Sequence, residues 1–374
     1  MLTAAGMSGN SQAAQEGQAA AALQCTEQAA WSHWEIFRQQ AISSDGRVID
    51  HSDSRQITTS EGQAYGLFFA LVNSDEALFR RLLSWSERHL ASGDLTGHLP
   101  AWLWGRQADG QFGVLDDNSA SDADVWMAYA LIEAGRLWDE HSYAALGLLL
   151  MQRIAREEAL DAPGLGWVLL GGREGFVHGR QWTVNPSYMT PQIYQRFAEE
   201  APSSAWVHLN ANLKHILLAT APNGYAPDWA VWSAENHGWA DVPKGAQGSY
   251  DAVRVYLWIG MLADHQAEAK RLKRHYRRVE SLVGKMGQVP QHINIFSGDV
   301  DGEGPAGFSA ALLPLLRAAP VAPALHQRMA EIRFDSSNYY DQVLALFAEG
   351  WLQKRYWFDE SGRLHIGGQP CSED

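Results

Sequence analysis

Apolar residues return at helical spacing in twelve segments of this chain: 28–40, 61–72, 76–91, 122–138, 142–158, 189–200, 204–220, 251–263, 268–285, 306–318, 322–333 and 338–352. No other feature narrows the fold as much. The segments pair across short polar turns, such as Asn73-Ser74-Asp75 and Asp139-Glu140-His141, and longer Gly- and Trp-rich stretches separate the pairs. Six helical hairpins predict two concentric rings, an all-α (α/α)6 barrel. The 374 residues leave roughly thirty for each helix with its loop, which suits that architecture. An open helical solenoid would need a fixed-period repeat, and none is visible. Two minor β elements are expected, one at 167–170 and a hairpin over 356–366 that turns at Glu360-Ser361-Gly362.

No linker rich in Pro or Ser divides the middle of the chain, so residues 25–374 read as one domain. Residues 1–24 are mostly Ala, Gly, Ser and Gln, with neither a positive n-region nor an apolar h-region. They read as a tag or linker rather than an intact signal peptide, and poor order is expected there. Hydrophobic residues make up 46% and charged residues 19%, which excludes a disordered chain. The net charge of −14 argues against nucleic acid or an anionic membrane as the partner, since both reward clustered Lys and Arg. No run of eighteen apolar residues occurs, so no membrane span is expected.

Three acidic residues stand at three expected helix starts. Glu61 lies in Thr58-Thr59-Ser60-Glu61-Gly62-Gln63, where Thr58 and Glu61 have the spacing of a capping box. Gly62 and Gly66 flank the first turn of the expected helix. Glycine in a helix costs about 1 kcal/mol, so a close approach to the backbone is expected there. Asp122 lies in Ala120-Ser121-Asp122-Ala123-Asp124, where Ser121 or Asp122 could equally serve as a cap. Asp124 points to another side of the helix, so one acid at most faces a shared cleft. Asp251 opens an apolar helix, with Arg254 one turn on; capping and a local ion pair would explain both. In a barrel of helical hairpins, however, equivalent ends of the inner helices converge on one mouth. Paired carboxyls in such a mouth suit glycoside hydrolysis, which needs one acid on the leaving oxygen and one base opposite. Sixteen Trp and twelve Tyr can serve a core, and they can also stack on sugar rings.

Metal ligation is not expected. The fourteen His are scattered, and Asp299-Val300-Asp301-Gly302-Glu303 resembles a calcium loop only loosely, with its glycine too early. There is no phosphate loop and no dinucleotide fingerprint, so no cofactor is expected. Cys25 and Cys371 lie near opposite ends and are not spaced for a metal. Two free thiols, a bridge between the termini and a tag-proximal accident all remain open. A bridge would imply an oxidising compartment.

The stretch Ala120-Ser121-Asp122-Ala123-Asp124, followed by Met127-Ala128, Ala130-Leu131, Ala134 and Trp138, resembles the signature of glycoside hydrolase family 8. Thr59-Ser60-Glu61-Gly62-Gln63 and Tyr250-Asp251-Ala252-Val253-Arg254 are similar to further blocks of that family, as are Asn185-Pro186-Ser187-Tyr188 and Pro227-Asp228-Trp229. The likeness runs from about residue 25 to the C-terminus and is strongest to the periplasmic cellulases associated with bacterial cellulose synthase. It implies an (α/α)6 barrel and an inverting endo-β-1,4-glucanase. Glu61 would be the general acid, Asp251 the general base, Asp122 a further acid at the point of cleavage and Tyr188 an aromatic lining that subsite. It also implies a β-1,4-glucan substrate, loose association with a cellulose synthase complex, and a periplasmic or secreted location. The two cysteines match terminal cysteines of close relatives, which favours the bridge. A hydrolase of another β-glycan (mixed-linkage glucan, xylan or chitosan) and a glucan-binding component of the secretion machinery are the alternatives.

Within that frame Glu61 faces conflicting demands. A helix N-terminus favours the ionised carboxylate, whereas a general acid must hold its proton. Burial against aromatic walls, or the charge of Asp122, is the expected counterweight, while Arg254 is expected to keep Asp251 charged and oriented. Trp102 is the expected sugar platform, with Tyr250, Tyr339 and Tyr340 as further candidates, and Arg254 is a further expected substrate contact. Trp104, Trp229 and Trp232 suit a core as readily.

Overall fold

The computed structural model describes residues 30–240, 246–335 and 338–368. The linker expected over 1–24, Cys25 and Cys371 lie outside them. Each of the twelve apolar-periodic segments contains a helix. In chain order these are α1 (Ser32–Ala41), α2 (Ser60–Val72), α3 (Glu76–Leu90), α4 (Ser121–Leu137), α5 (His141–Glu157), α6 (Pro191–Glu200), α7 (Ala205–Thr220), α8 (Ala252–Gly260), α9 (Ala267–Tyr276), α10 (Glu280–Met286), α11 (Ala306–Leu316), α12 (Ala322–Met329) and α13 (Tyr339–Leu352). The expected 268–285 helix is interrupted by a 3-10 turn at Arg277–Val279, which separates α9 from α10.

The two rings follow from how each helix is patterned. α2, α4, α8 and α11 are buried on nearly every side, as helices surrounded by other helices must be. With α6 and α13 they form the inner ring of an (α/α)6 barrel. α3, α5, α7, α9 and α12 each pack on the inner helix that precedes them. The sixth pair is not a hairpin. α1, from the start of the chain, packs on α13 near its end. Trp31 Nε1 donates to Glu349 at 3.1 Å, and the Trp31 ring meets Phe69 edge-on.

The axis of the barrel is filled with aromatic rings. Phe347 of α13 contacts Tyr65, Phe68 and Phe69 of α2, which closes the inner ring. It also contacts Trp126 of α4 and Trp258 of α8, whose centroids are 5.1 Å apart. Tyr65, Trp126 and Trp258 lie four residues after Glu61, Asp122 and Arg254, so each sits one turn further along the same helix face. The three charged helix starts therefore stand on an apolar floor.

There is more β structure than the sequence suggested. The expected elements appear as hairpins, Ala159–Ala162 with Gly166–Leu169 and Tyr356–Phe358 with Leu364–Ile366. Three further antiparallel sheets occupy loops that lead into inner helices. Thr58–Thr59 pairs with Leu103–Arg106, which pairs with Phe112–Asp116. Val177–His178, Gln181–Val184, Ala230–Ser233 and Gly238–Trp239 form a four-stranded meander. Gln247–Gly248, Pro290–Asn294 and Val300–Glu303 form the third. Strands of two to five residues are too short to show the alternation that betrays a strand. Among the described residues no helix is long and apolar enough to cross a membrane.

Candidate active site

Two of the three helix starts, those of α2 and α8, are capped by something other than the acid that stands there. At α2, Thr59 Oγ1 accepts from Gly62 N at 3.0 Å. Thr58 turns inward, donating to Val48 O and accepting from Arg47 Nε at 2.8 Å. The capping box is therefore not formed, and Glu61 points elsewhere. The close approach expected at Gly62 comes from Tyr339, whose hydroxyl would lie 2.5 Å from a Cβ there. At α4, Ser121 Oγ donates to Leu170 O. Asp122 Oδ1 accepts from Ala123 N at 2.8 Å and leaves Oδ2 free.

The start of α8 is capped from a distant loop. Asp228 Oδ1 accepts from Ser249 N at 2.8 Å, Asp251 N at 3.1 Å and Ala252 N at 2.9 Å. This frees the Asp251 carboxyl from the role its position suggested. Asp228→Ala leaves those N–H groups without their acceptor, and a lost cap costs about 0.5–2 kcal/mol. Its melting temperature should fall and its kcat should drop more than KM rises. Asp228→Asn keeps an acceptor oxygen and should lose clearly less in both measurements.

All three freed carboxyls meet one guanidinium. Arg254 is buried, and its Nη1 donates to Glu61 Oε2, to Asp122 Oδ2 at 3.0 Å and to Tyr65 Oη at 3.3 Å. Its Nη2 donates to Asp251 Oδ1 at 2.7 Å. The arginine expected to orient Asp251 and to meet substrate is thus engaged by the whole trio. One cation faces three carboxyls, of which Asp122 is buried while Glu61 and Asp251 are partly exposed. Burial pushes the Asp122 carboxyl up to about 7, Arg254 pulls the other way, and the charge of the facing Glu61 carboxyl raises it again. Burial and the neighbouring charge of Glu61 thus favour the protonated form of Asp122. At Asp251 burial outweighs the pull of Arg254, and its pKa is raised. The Asn185 amide faces Asp251 and favours the charged form, although its geometry falls short of a full hydrogen bond.

The aromatic candidates divide. Tyr188 ends a 3-10 turn, Pro186–Tyr188, whose cap is Asn185. The guanidinium of Arg254 lies 5.6 Å from its ring centroid. Trp229 meets Tyr188 edge-on and stacks on Phe176 at 5.7 Å. Tyr250, beside Asp251, is 44% exposed, with Phe308 edge-on to it at 5.0 Å. Tyr340 donates its hydroxyl to the Tyr250 carbonyl at 2.5 Å. Tyr339 packs beside Phe37 and over Gly62, which makes it a wall of the α2 start. Trp102 is half-buried, and its backbone joins the start of α2 to the stretch before α4. Its carbonyl accepts from Ser60 N at 3.0 Å, and its N–H donates to Asn118 O at 2.8 Å. Trp104 is core, stacked on Phe112 and covered by Arg47. Trp232 is also core, with its indole N–H on Pro163 O at 3.1 Å.

Sequence reasoning gave no role to Asp228, Asn185 or Phe176. The helix that Asp228 caps begins more than twenty residues away, so no local pattern marks it. Among the described residues, no group of three or more His, Cys, Asp and Glu is placed to hold a metal ion.

The family profile described as Glycosyl hydrolases family 8 matches residues 10–354. An endoglucanase of Escherichia coli strain K12 is 43% identical over 343 residues, covering 91% of this chain and 93% of its own. An endoglucanase of Xanthomonas axonopodis pv. citri is 43% identical over 354 residues, covering 92% and 91%. Among solved structures, the endo-1,4-D-glucanase of Vibrio fischeri ES114 superposes with a TM-score of 0.86 at 43% identity, covering 90% of this chain and 99% of its own.

Proposed function

The chain belongs to glycosyl hydrolase family 8, and from that premise we propose that it is an inverting endo-β-1,4-glucanase acting on cellulose chains. The observation that supports this reading is the convergence of Glu61, Asp122 and Asp251 on Arg254 at the mouth of the barrel. Glu61 is the general acid that protonates the departing glycosidic oxygen. Asp251 is the general base that takes a proton from water as the water attacks the anomeric carbon from the other face. Inversion requires the two carboxyls about 6.5–9.5 Å apart, with room for that water. Arg254 holds Glu61 on one terminal nitrogen and Asp251 on the other, so the acid and base are spread by the guanidinium.

Asp122, whose buried carboxyl favours its proton beside Glu61, is the further acid at the point of cleavage. Tyr188 lines the point of cleavage, and Trp102 and Tyr250 offer partly open ring faces on either side. Neutral glucan pays no electrostatic penalty at an acidic surface. Residues 25–374 form the single catalytic domain. We place the enzyme in the periplasm or outside the cell, in loose association with cellulose synthesis and export, as the sequence resemblance implies.

The deciding experiment follows viscosity and reducing ends together during digestion of carboxymethylcellulose. Viscosity should fall well ahead of the release of reducing ends. If the two move in step, the enzyme is exo-acting. If neither moves, but mixed-linkage glucan, xylan or chitosan is cut, the substrate assignment is wrong. Binding of glucan without turnover would favour a binding component instead.

A further inference from the structure

Asp122 is not the only carboxyl in the first turn of α4. Asp124, two residues on, turns to the opposite side and is wholly buried. There it faces Glu158, the buried residue that follows the last turn of α5. The groups that face this pair are Asp122 from α4, Glu157 from α5, Tyr194 from α6, and Ser119 from the turn before α4. No cation is among them. Ser119 Oγ donates to Glu158 Oε1 at 2.5 Å. Neither oxygen of Asp124, nor Oε2 of Glu158, has any other donor among the described residues. Two carboxylates cannot stay in contact in a dry interior without a cation. The contact closes when one carboxyl keeps its proton and donates it to the other. Burial pushes both groups up, Glu158 to about 8.

Ser119 carries the pair's position outward. Its Oγ accepts from Arg173 N at 2.9 Å. Beside it, Asn118 accepts from Glu174 N at 3.1 Å and donates to Glu174 O at 2.9 Å. Ser121 N donates to Gly171 O at 3.1 Å. Gly172 rests so close on the Ser119 carbonyl that a Cβ has no room there. This laced segment ends at Phe176, which stacks on Trp229 beside Tyr188.

We propose that Asp124 and Glu158 are positioning residues: a carboxyl pair that shares a proton behind the cleft and, through Ser119, locks the turn bearing Asp122 to the 170–176 segment bearing Phe176. The proposal rests on the reading of Asp122 as a cleft group. The pair touches no substrate. It fixes, from behind, both an acid and an aromatic wall of the same site.

Two readouts test it on the whole chain. The first is melting temperature against pH, without substrate. The native pair keeps a proton that the unfolded chain releases above about pH 4.5. Stability from this source is full below that pH and is lost as pH rises toward about 8. Asp124→Asn supplies an amide donor in place of the acid and cannot titrate, so its melting temperature should fall less steeply, by about 2 °C per pH unit. Parallel slopes in wild type and Asp124→Asn would overturn the pair. The second readout is kinetic. Ser119→Ala and Asp124→Ala should lower kcat about tenfold while KM stays within about twofold, and Asp124→Asn should stay within about threefold of wild type. Wild-type kcat in Ser119→Ala, or an Asp124→Asn as impaired as Asp124→Ala, would overturn the positioning role. If Asp124→Ala does not fold, Ser119→Ala and Asp124→Asn decide. A wild type inactive on every glucan refutes the proposed activity, and with it the positioning role, while the melting curves still judge the pair.

Discussion

Glu61→Gln and Asp251→Asn should each lower kcat on carboxymethylcellulose by about 10²–10⁴-fold, the usual worth of a general acid or base, with KM within about threefold. The size of the loss does not separate the two roles, but the leaving group does. A cellulose oligomer leaves as an alkoxide and needs a proton. A nitrophenol leaves as a stable anion and hardly does. On a nitrophenyl cello-oligosaccharide, Glu61→Gln should recover most of its lost rate, whereas Asp251→Asn should stay slow, because water must still be deprotonated. Recovery in the Asp251 variant alone would exchange the two assignments. Recovery in neither would mean that Glu61 supports the site without donating the proton. Both side chains sit on helix starts that are capped by other residues, Thr59 and Asp228. Neither substitution removes a cap, so the folded state should survive and the kinetics should report chemistry.

Those caps mark the boundary of what the sequence could reveal. Helical periodicity locates all the helices of the two rings, because an inner helix and an amphipathic outer one both carry a 3.6-residue signal. It does not show that α1 closes the barrel against α13, since that pairing joins opposite ends of the described chain. The convergence of Glu61, Asp122 and Asp251 follows from the architecture once the rings are recognised. Local spacing pointed the other way for Glu61, where Thr58 suggested a capping box that the fold does not use. Asp228, Asn185 and Glu158 lay beyond reach for a common reason. Each acts on a helix start far away in sequence, and a contact set by tertiary packing leaves no pattern in a local window. Asp124 was legible as an acid facing away from the cleft, but its partner was not.

The largest effect on stability should come from Arg254→Met. It replaces a buried cation with an apolar chain of similar length and leaves three carboxyls facing one another. Breaking a buried ion pair from one side costs about 3–5 kcal/mol, or about 4–6 °C in a chain of this size. The pH dependence identifies the cause. Without Arg254 the pull that lowers the Asp122 and Asp251 pKa values is gone, so both rise further above their unfolded values. A group raised on folding contributes its stability below the unfolded pKa and loses it as pH rises through the folded one. The gap between variant and wild type should therefore be smallest near pH 4 and should widen steadily toward pH 8. A gap constant across that range would mean that the loss is one of packing around Tyr65 and Tyr188. Arg254→Lys separates charge from geometry. It restores a cation, so much of the alkaline loss should return. A single ammonium cannot hold Glu61 and Asp251 on separate nitrogens, so kcat should remain about 10²-fold down.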